Sequence, residues 1–198
     1  RVSELAMGGL FVSSYGGAYE QAREAIHRAL ELGVNYIDTA PGYGNSEEVI
    51  GKALEGVKAP LILSTKLGGR PQPFKPQDKD CLMQSVEESL RLLKRDYIDI
   101  LMIHEPDRPG QYDWWSDWDR FTGPVLELLD QLKKDGVIGY TGLGAHHPHG
   151  PLRRGAHRLQ LQPPLAGSGA RGAPGGEGAG HGDHHRLAAP AGGARAAL

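Results

Sequence analysis

The chain has 198 residues, enough for one substantial domain, and its 24 acidic and 22 basic side chains give a formal net charge of -2. This balance gives no indication of nucleic-acid binding, and no apolar run approaches the length of a membrane span. The single cysteine, Cys81, cannot form an internal disulfide. A protein of this composition, without an apolar signal segment at its start, is expected in the cytoplasm.

Composition changes abruptly near residue 145 and predicts two parts. Residues 1–145 are varied and periodic, whereas residues 146–198 contain no Val, Ile, Phe, Tyr, Trp or Lys. Such a tail has too little apolar surface to offset chain entropy, so we expect it to be disordered. Its His-rich stretches lack the fixed geometry of a metal site, so no metal is predicted.

Two explanations of this tail remain open. Near-restriction to Gly, Ala, Pro, Arg, His and Leu is what a GC-rich coding sequence gives when it is translated out of frame, so a frameshift near residue 145 is one hypothesis. A native disordered extension is the other. Reading the coding DNA in the alternate frames distinguishes them.

The first part alternates predicted strands with predicted helices. In chain order the patterns predict strands at residues 5–12, 34–40, 61–68, 97–107 and 138–144, with helices at residues 19–33, 46–56, 77–96 and 123–136. Strands that are nearly continuous apolar runs indicate a parallel α/β sheet covered by helices. The closest match to a dinucleotide-binding GxGxxG, GYGNSE, lacks the last glycine and follows the second strand, so a doubly wound sheet is weakly supported.

Polar side chains at the carboxyl ends of successive strands favour a (β/α)8 TIM barrel, truncated after about five βα units. Asp38 ends the second predicted strand, Tyr43 follows it in a Gly/Pro turn, Lys66 ends the third strand and His104 ends the fourth. Taken singly, Asp38 could cap a loop and Tyr43 could pack against its neighbours. Lys66 could be solvated, and His104 could be a core histidine. Four of them at equivalent positions indicate one site on the rim.

These four residue types suit proton transfer to a carbonyl oxygen while a hydride reaches its carbon. A phenol is a poor acid at neutral pH, and a lysine cation beside Tyr43 would lower its pKa. Asp38 would hold that lysine charged, and His104 would orient the carbonyl by a hydrogen bond. None of the four can deliver hydride, so a nicotinamide cofactor is implied.

The segments NYIDTAPGYGNSEEVIGKAL, STKLG and YIDILMIHEPD resemble the aldo/keto reductases over roughly residues 2–144. The resemblance implies an oxidoreductase of the (β/α)8 fold that uses NADP, or NAD, to interconvert aldehydes, ketones or sugars with alcohols. It implies Tyr43 as the general acid, Lys66 and Asp38 as the pair that tunes it, and His104 as the residue that orients the substrate. Cofactor contacts are implied at Gly8, Gly9, Asp38 and Gly144.

The chain departs from the family pattern in two places. Gly144-Ala145 stands where the family commonly has a Ser-Asn pair for the nicotinamide carboxamide. The tail offers no counterpart of strands six to eight, which carry the family's adenosine-phosphate sites, and five strands do not close a barrel. We therefore expect the chain alone to have little activity and to aggregate or need a partner; its oligomeric state is not predicted.

Other functions remain open at this point. The same fold could support Schiff-base aldolase chemistry at Lys66, or a cofactor-binding regulatory protein without turnover. Trp114 and Trp115, in the long loop after His104, could line a substrate pocket or pack over the barrel mouth.

Overall fold

The structure, a computed structural model, describes residues 1–108 and 110–144. Within these residues, strands alternate with helices: β1 (Met7–Gly8), α1 (Tyr19–Glu31), β2 (Tyr36–Asp38), α2 (Ser46–Ala53), β3 (Ile62–Leu67), α3 (Lys79–Leu93), β4 (Ile98–His104), α4 (Pro124–Lys134) and β5 (Ile138–Gly144). The predicted disorder, the frameshift hypothesis and the His-rich stretches all concern residues that lie outside the described part.

The five described strands form one parallel sheet in the order β1-β2-β3-β4-β5. A doubly wound sheet places later strands on both sides of the first, whereas a barrel adds each strand beside the previous one. The sequential order therefore confirms the barrel-type α/β fold. Within the described residues β1 and β5 each pair on one side only, so the sheet is open.

Strand β1 is the element that differs most from its prediction. A buried strand was expected over residues 5–12, but only Met7 and Gly8 pair with β2. Leu5, Leu10 and Phe11 are exposed. The chain turns at Gly9, whose carbonyl accepts a hydrogen bond from Val12 N–H at 3.0 Å, so strand pairing ends after two residues.

Helix α1 ends as its sequence predicts, at a glycine. Gly33 has φ +87°, the left-handed conformation that glycine adopts without a Cβ penalty. The backbone N–H groups of Gly33 and Val34 donate to the carbonyls of Leu30 and Ala29, at 3.0 Å each. This pair of bonds is the Schellman motif, which turns the chain into β2.

Two apolar clusters hold the helices on the sheet. One joins α1, α2 and the end of α3 to β2 and β3 and includes Ile26, Ile37, Ile50, Leu63 and Leu93. The other joins α3 and α4 to β3, β4 and β5 and includes Leu82, Leu101, Ile103, Leu129 and Ile138. In the part of the chain that the structure describes, no helix has the length and apolarity to cross a membrane.

Candidate active site

The parallel register brings the predicted site residues to one edge of the sheet. Asp38 is the last residue of β2 and His104 the last of β4, while Lys66 is the penultimate residue of β3. Asp38 pairs with Ser64 across β2 and β3. Because the carboxyl ends of parallel strands lie on the same side, side chains from three strands converge there.

The ammonium group of Lys66 is held by two oxygens of β2 and the residue after it. Its Nζ lies 2.7 Å from Asp38 Oδ2 and 2.7 Å from the carbonyl oxygen of Thr39. The side chains of Lys66 and Asp38 are 7% and 26% exposed. A cation this buried requires such hydrogen-bond partners.

Ser64 completes the environment of Asp38 and was not among the residues that the sequence indicated. Its buried hydroxyl donates to Asp38 Oδ1 at 2.7 Å, which leaves Oδ2 for Lys66. The signal available in the sequence was spacing, since Ser64 lies two residues before Lys66 and so faces the same side of β3. Asp38 is thereby fixed through both oxygens.

Tyr43 lies in the turn between β2 and α2, beside Lys66. The turn is closed by the Tyr43 N–H, which donates to the Ala40 carbonyl at 3.1 Å. Lys66 Nζ lies 4.9 Å from the centre of the Tyr43 ring. The rings of Tyr43 and His104 are 6.0 Å apart and nearly perpendicular, at 82°. The four predicted residues are therefore neighbours in the structure.

The surroundings of His104 favour the neutral form of its imidazole. Burial lowers the pKa of its imidazole, and the Lys66 cation lowers it further, while Glu105 and Asp38 oppose this shift. Its Nδ1 is buried and has no hydrogen-bond partner among the described residues. Protonation would bury a second N–H without an acceptor there, so the neutral form with the proton on Nε2 is favoured.

The glycines for which cofactor contacts were predicted lie at the same edge. A Cβ on Gly8 would meet no atom within 4 Å, so the space beside it is open. A Cβ on Gly9 would lie 2.7 Å from the Asp38 carbonyl oxygen, so glycine there permits close packing of β1 on β2. Gly144, at the end of β5, lies against the Lys66 stem, where a Cβ would be 3.4 Å from Cδ and Cε. Their contact with a cofactor stays a prediction, and Ala145 lies outside the described residues.

Trp114 and Trp115 are both buried, at 0% and 4% exposure. Their indole N–H groups donate to the carbonyls of His104 and Pro106, at 2.8 and 2.9 Å. These contacts support the packing alternative, and the substrate-pocket role stays a prediction. The loop residue beside the His104 ring is Tyr112, which the sequence pattern did not single out.

A cluster of polar side chains, Glu47, Thr65 and Arg70, fixes the start of α2 to β3. The carboxylate of Glu47, with its side chain 1% exposed, accepts a hydrogen bond from Thr65 Oγ1 at 2.6 Å and pairs with Arg70. Arg70 also donates to Ser89 Oγ at 3.0 Å. Since Thr65 precedes Lys66 and Glu47 follows the Tyr43 turn, this group ties the two segments together.

Fold and site together define a barrel-type α/β protein with a lysine–carboxylate pair, a tyrosine and a histidine on its carboxyl rim. The sequence profile of the aldo/keto reductase family matches residues 5–152. The chain belongs to the aldo/keto reductase family.

Individual relatives agree with this assignment. The chain is 31% identical over 155 residues to the uncharacterized oxidoreductase YqkF of Bacillus subtilis, covering 75% of this chain and 46% of the relative. It is 31% identical over 153 residues to L-galactose dehydrogenase of Arabidopsis thaliana, covering 72% and 46%. The aldo-keto reductase AKR11C1 from Bacillus halodurans, in its holo form, superposes with a TM-score of 0.62 at 32% identity, covering 81% of this chain and 50% of that structure. The chain thus spans about half the length of the proteins it matches.

Proposed function

We propose that the chain carries the catalytic rim of an NAD(P)H-dependent oxidoreductase that interconverts aldehydes, ketones or sugars with alcohols. The observation that carries this proposal is the contact of the Lys66 ammonium with Asp38 at 2.7 Å and with the Tyr43 ring at 4.9 Å. A phenol flanked by a buried cation is a proton donor whose anion is stabilised. Family membership and the sugar named for the L-galactose dehydrogenase support the substrate class.

The residues divide the work by their chemistry. Tyr43 donates its phenolic proton to the carbonyl oxygen, and Lys66 stabilises the tyrosinate that remains. Asp38 keeps Lys66 charged and in place. His104, neutral and bearing its proton on Nε2, donates a hydrogen bond that orients the carbonyl. The substrate's C=O becomes CH–OH by gaining this proton and a hydride.

The donor set at the rim fits a nicotinamide cofactor. It contains a proton donor, a cation and a hydrogen-bond donor, but none of the four side chains can give up a hydride, and the space beside Gly8 is open. A bound nicotinamide cofactor supplies that hydride. Gly8, Gly9, Asp38 and Gly144 are the residues proposed to contact it, with NADP or NAD as the cofactor.

The Schiff-base alternative requires Lys66 to be a neutral nucleophile. Lys66 Nζ instead donates hydrogen bonds to two oxygens at 2.7 Å, one of them a carboxylate, so hydride chemistry is the better proposal.

The test uses the chain alone and a chimera in which residues 1–144 are joined to the second half of the YqkF barrel. We expect carbonyl-dependent loss of NAD(P)H absorbance in the chimera and little in the chain alone. Tyr43→Phe should reduce kcat by about 10²- to 10⁴-fold, the usual contribution of a general acid. Tyr97→Phe, at an exposed tyrosine just before β4 and at the opposite end of that strand from His104, is the matched control.

Three outcomes would contradict the proposal. Unchanged turnover in Tyr43→Phe would show that Tyr43 is not the general acid. Borohydride trapping of substrate on Lys66 would favour aldolase chemistry. Nucleotide binding with no turnover of any carbonyl would favour a regulatory protein of the same fold.

A further inference from the structure

His104 lies between two tyrosine rings that meet it in different ways. Tyr43 approaches edge-on, whereas the Tyr112 ring lies 6.3 Å away and inclined by only 27°, a stacked arrangement. Tyr112 belongs to the loop between β4 and α4. A side chain to which no role has been given therefore lies nearly parallel to the imidazole.

Tyr112 is itself held firmly. Its ring contacts Phe74 edge-on at 5.5 Å and 85°, and lies 5.5 Å from the Trp114 ring. A Cβ on Gly68 would come within 3.3 Å of the Tyr112 and Trp114 rings, so the glycine lets the loop after β3 approach them. Gly68 has φ +126°, a conformation that strains other residues.

The same aromatic group also holds the His104 backbone, through the Trp114 indole that donates to its carbonyl at 2.8 Å. Trp114 thus holds the His104 backbone, while Tyr112, two residues earlier in the same loop, contacts the His104 ring. Aromatic rings with centroids about 4.5 to 7 Å apart prefer offset-stacked or edge-to-face arrangements, so these contacts favour one orientation of the imidazole.

We propose that Tyr112 is a positioning residue for His104, whose stacked ring fixes the imidazole plane and excludes water from one face. The remaining polar edge of the imidazole is left for the carbonyl substrate. The link to substrate orientation rests on the proposed function, but the stacking itself does not.

Four other side chains lie around His104, and three of them shift its pKa. Lys66 on β3 opposes its protonation, while Asp38 on β2 and Glu105 on its own segment favour it. Tyr43 faces it from the β2–α2 turn. Substitution of Tyr112 leaves these four side chains in place, so a change in the His104 titration reports on burial by the Tyr112 ring.

The test records NMR signals of the His104 ring protons in the full chain, without cofactor or substrate. The chain has nine histidines, and loss of a signal in His104→Gln identifies the right one. Tyr112→Phe should keep the ring-current shift and the low titration midpoint. Tyr112→Leu should lose the ring-current shift and move the midpoint upward. Tyr140→Leu, at an exposed tyrosine on β5, should change neither.

A second measurement needs no variant. Nuclear Overhauser contacts between the Tyr112 and His104 ring protons are expected in the unsubstituted chain. Their absence from a well-dispersed spectrum, or unchanged His104 signals in a folded Tyr112→Leu chain, would overturn the proposal. Should the chain alone aggregate, the same signals are recorded in the chimera described above, where the same outcomes support or overturn the proposal. Because no turnover is measured, failure of the NAD(P)H assay would contradict the proposed function and leave this inference intact.

Discussion

Ser64 Oγ donates a hydrogen bond to Asp38 Oδ1 across paired positions of β2 and β3, at 2.7 Å. The hydroxyl thereby fixes the carboxylate that holds Lys66. Ser64→Ala should lower the free energy of unfolding by about 1 to 3 kcal/mol, the usual effect of removing a hydrogen bond to a charged, largely buried group. Urea denaturation of variants made in the chimera measures this change, because the chain alone is expected to aggregate. Ser116→Ala, which removes an exposed hydroxyl bonded to Gln77, is the control; equal effects of the two substitutions would refute the role of Ser64.

Breaking the Lys66–Asp38 pair should lower the free energy of unfolding far more than breaking a surface ion pair. Lys66→Met leaves the Asp38 carboxylate without its cation, and we expect a loss of about 3 kcal/mol in unfolding free energy. Lys52→Met breaks an ion pair whose side chains are 48% and 44% exposed, and it should cost less than about 1 kcal/mol. Denaturant melts of both variants give the comparison. Similar losses at the two positions would mean that burial does not govern the Lys66 pair.

Glu47 and Arg70 should behave as a coupled unit. Arg70→Met leaves the buried Glu47 carboxylate unpaired and should cost about 3 to 5 kcal/mol of unfolding free energy. Glu47→Leu combined with Arg70→Met removes both charges, so the double variant should be more stable than the sum of the single effects by about 1 to 3 kcal/mol. A double-mutant cycle measures this coupling, and strict additivity would exclude it.

His104 should make stability depend on pH. Its pKa is lower in the folded chain than the usual 6.5, so the unfolded chain binds the proton first. Its contribution is complete above pH 6.5 and is lost as the pH falls from there through the folded pKa. Unfolding free energies measured at several pH values should show a steeper decline for the native chain than for His104→Gln. Parallel curves for the two would show that His104 titrates normally.

Much of this arrangement follows from the sequence because it depends on local pattern. The apolar periodicity predicts all four described helices, and β5 has its predicted bounds, Ile138–Gly144. Asp38, Lys66 and His104 could be located because each follows an apolar run, and parallel strands end on one side. The family resemblance is confirmed by the profile match over residues 5–152.

The remainder depends on contacts between distant segments. Asn45 precedes α2 but makes no side-chain cap bond; its side chain accepts from Ser14 N–H, and the Ser46 hydroxyl donates to the Gly9 carbonyl. These partners precede α2 by about thirty residues or more, and no local pattern indicates them. Arg70 meets Glu47 for the same reason, through packing of a loop against a helix. The stacking of Tyr112 on His104 likewise required the loop geometry.

The bonds of Asp38 to Ser64 and of Lys66 to Asp38 and Thr39 all join β2 to β3. A slip of one residue between these strands would turn every side chain of one strand to the other face. Both oxygens of Asp38 would then lose their partners, and a buried ammonium group would be left without a counterion. The side chains proposed for catalysis therefore also favour the correct strand pairing during folding. A mispaired chain would be destabilised because it buries a charge without a partner.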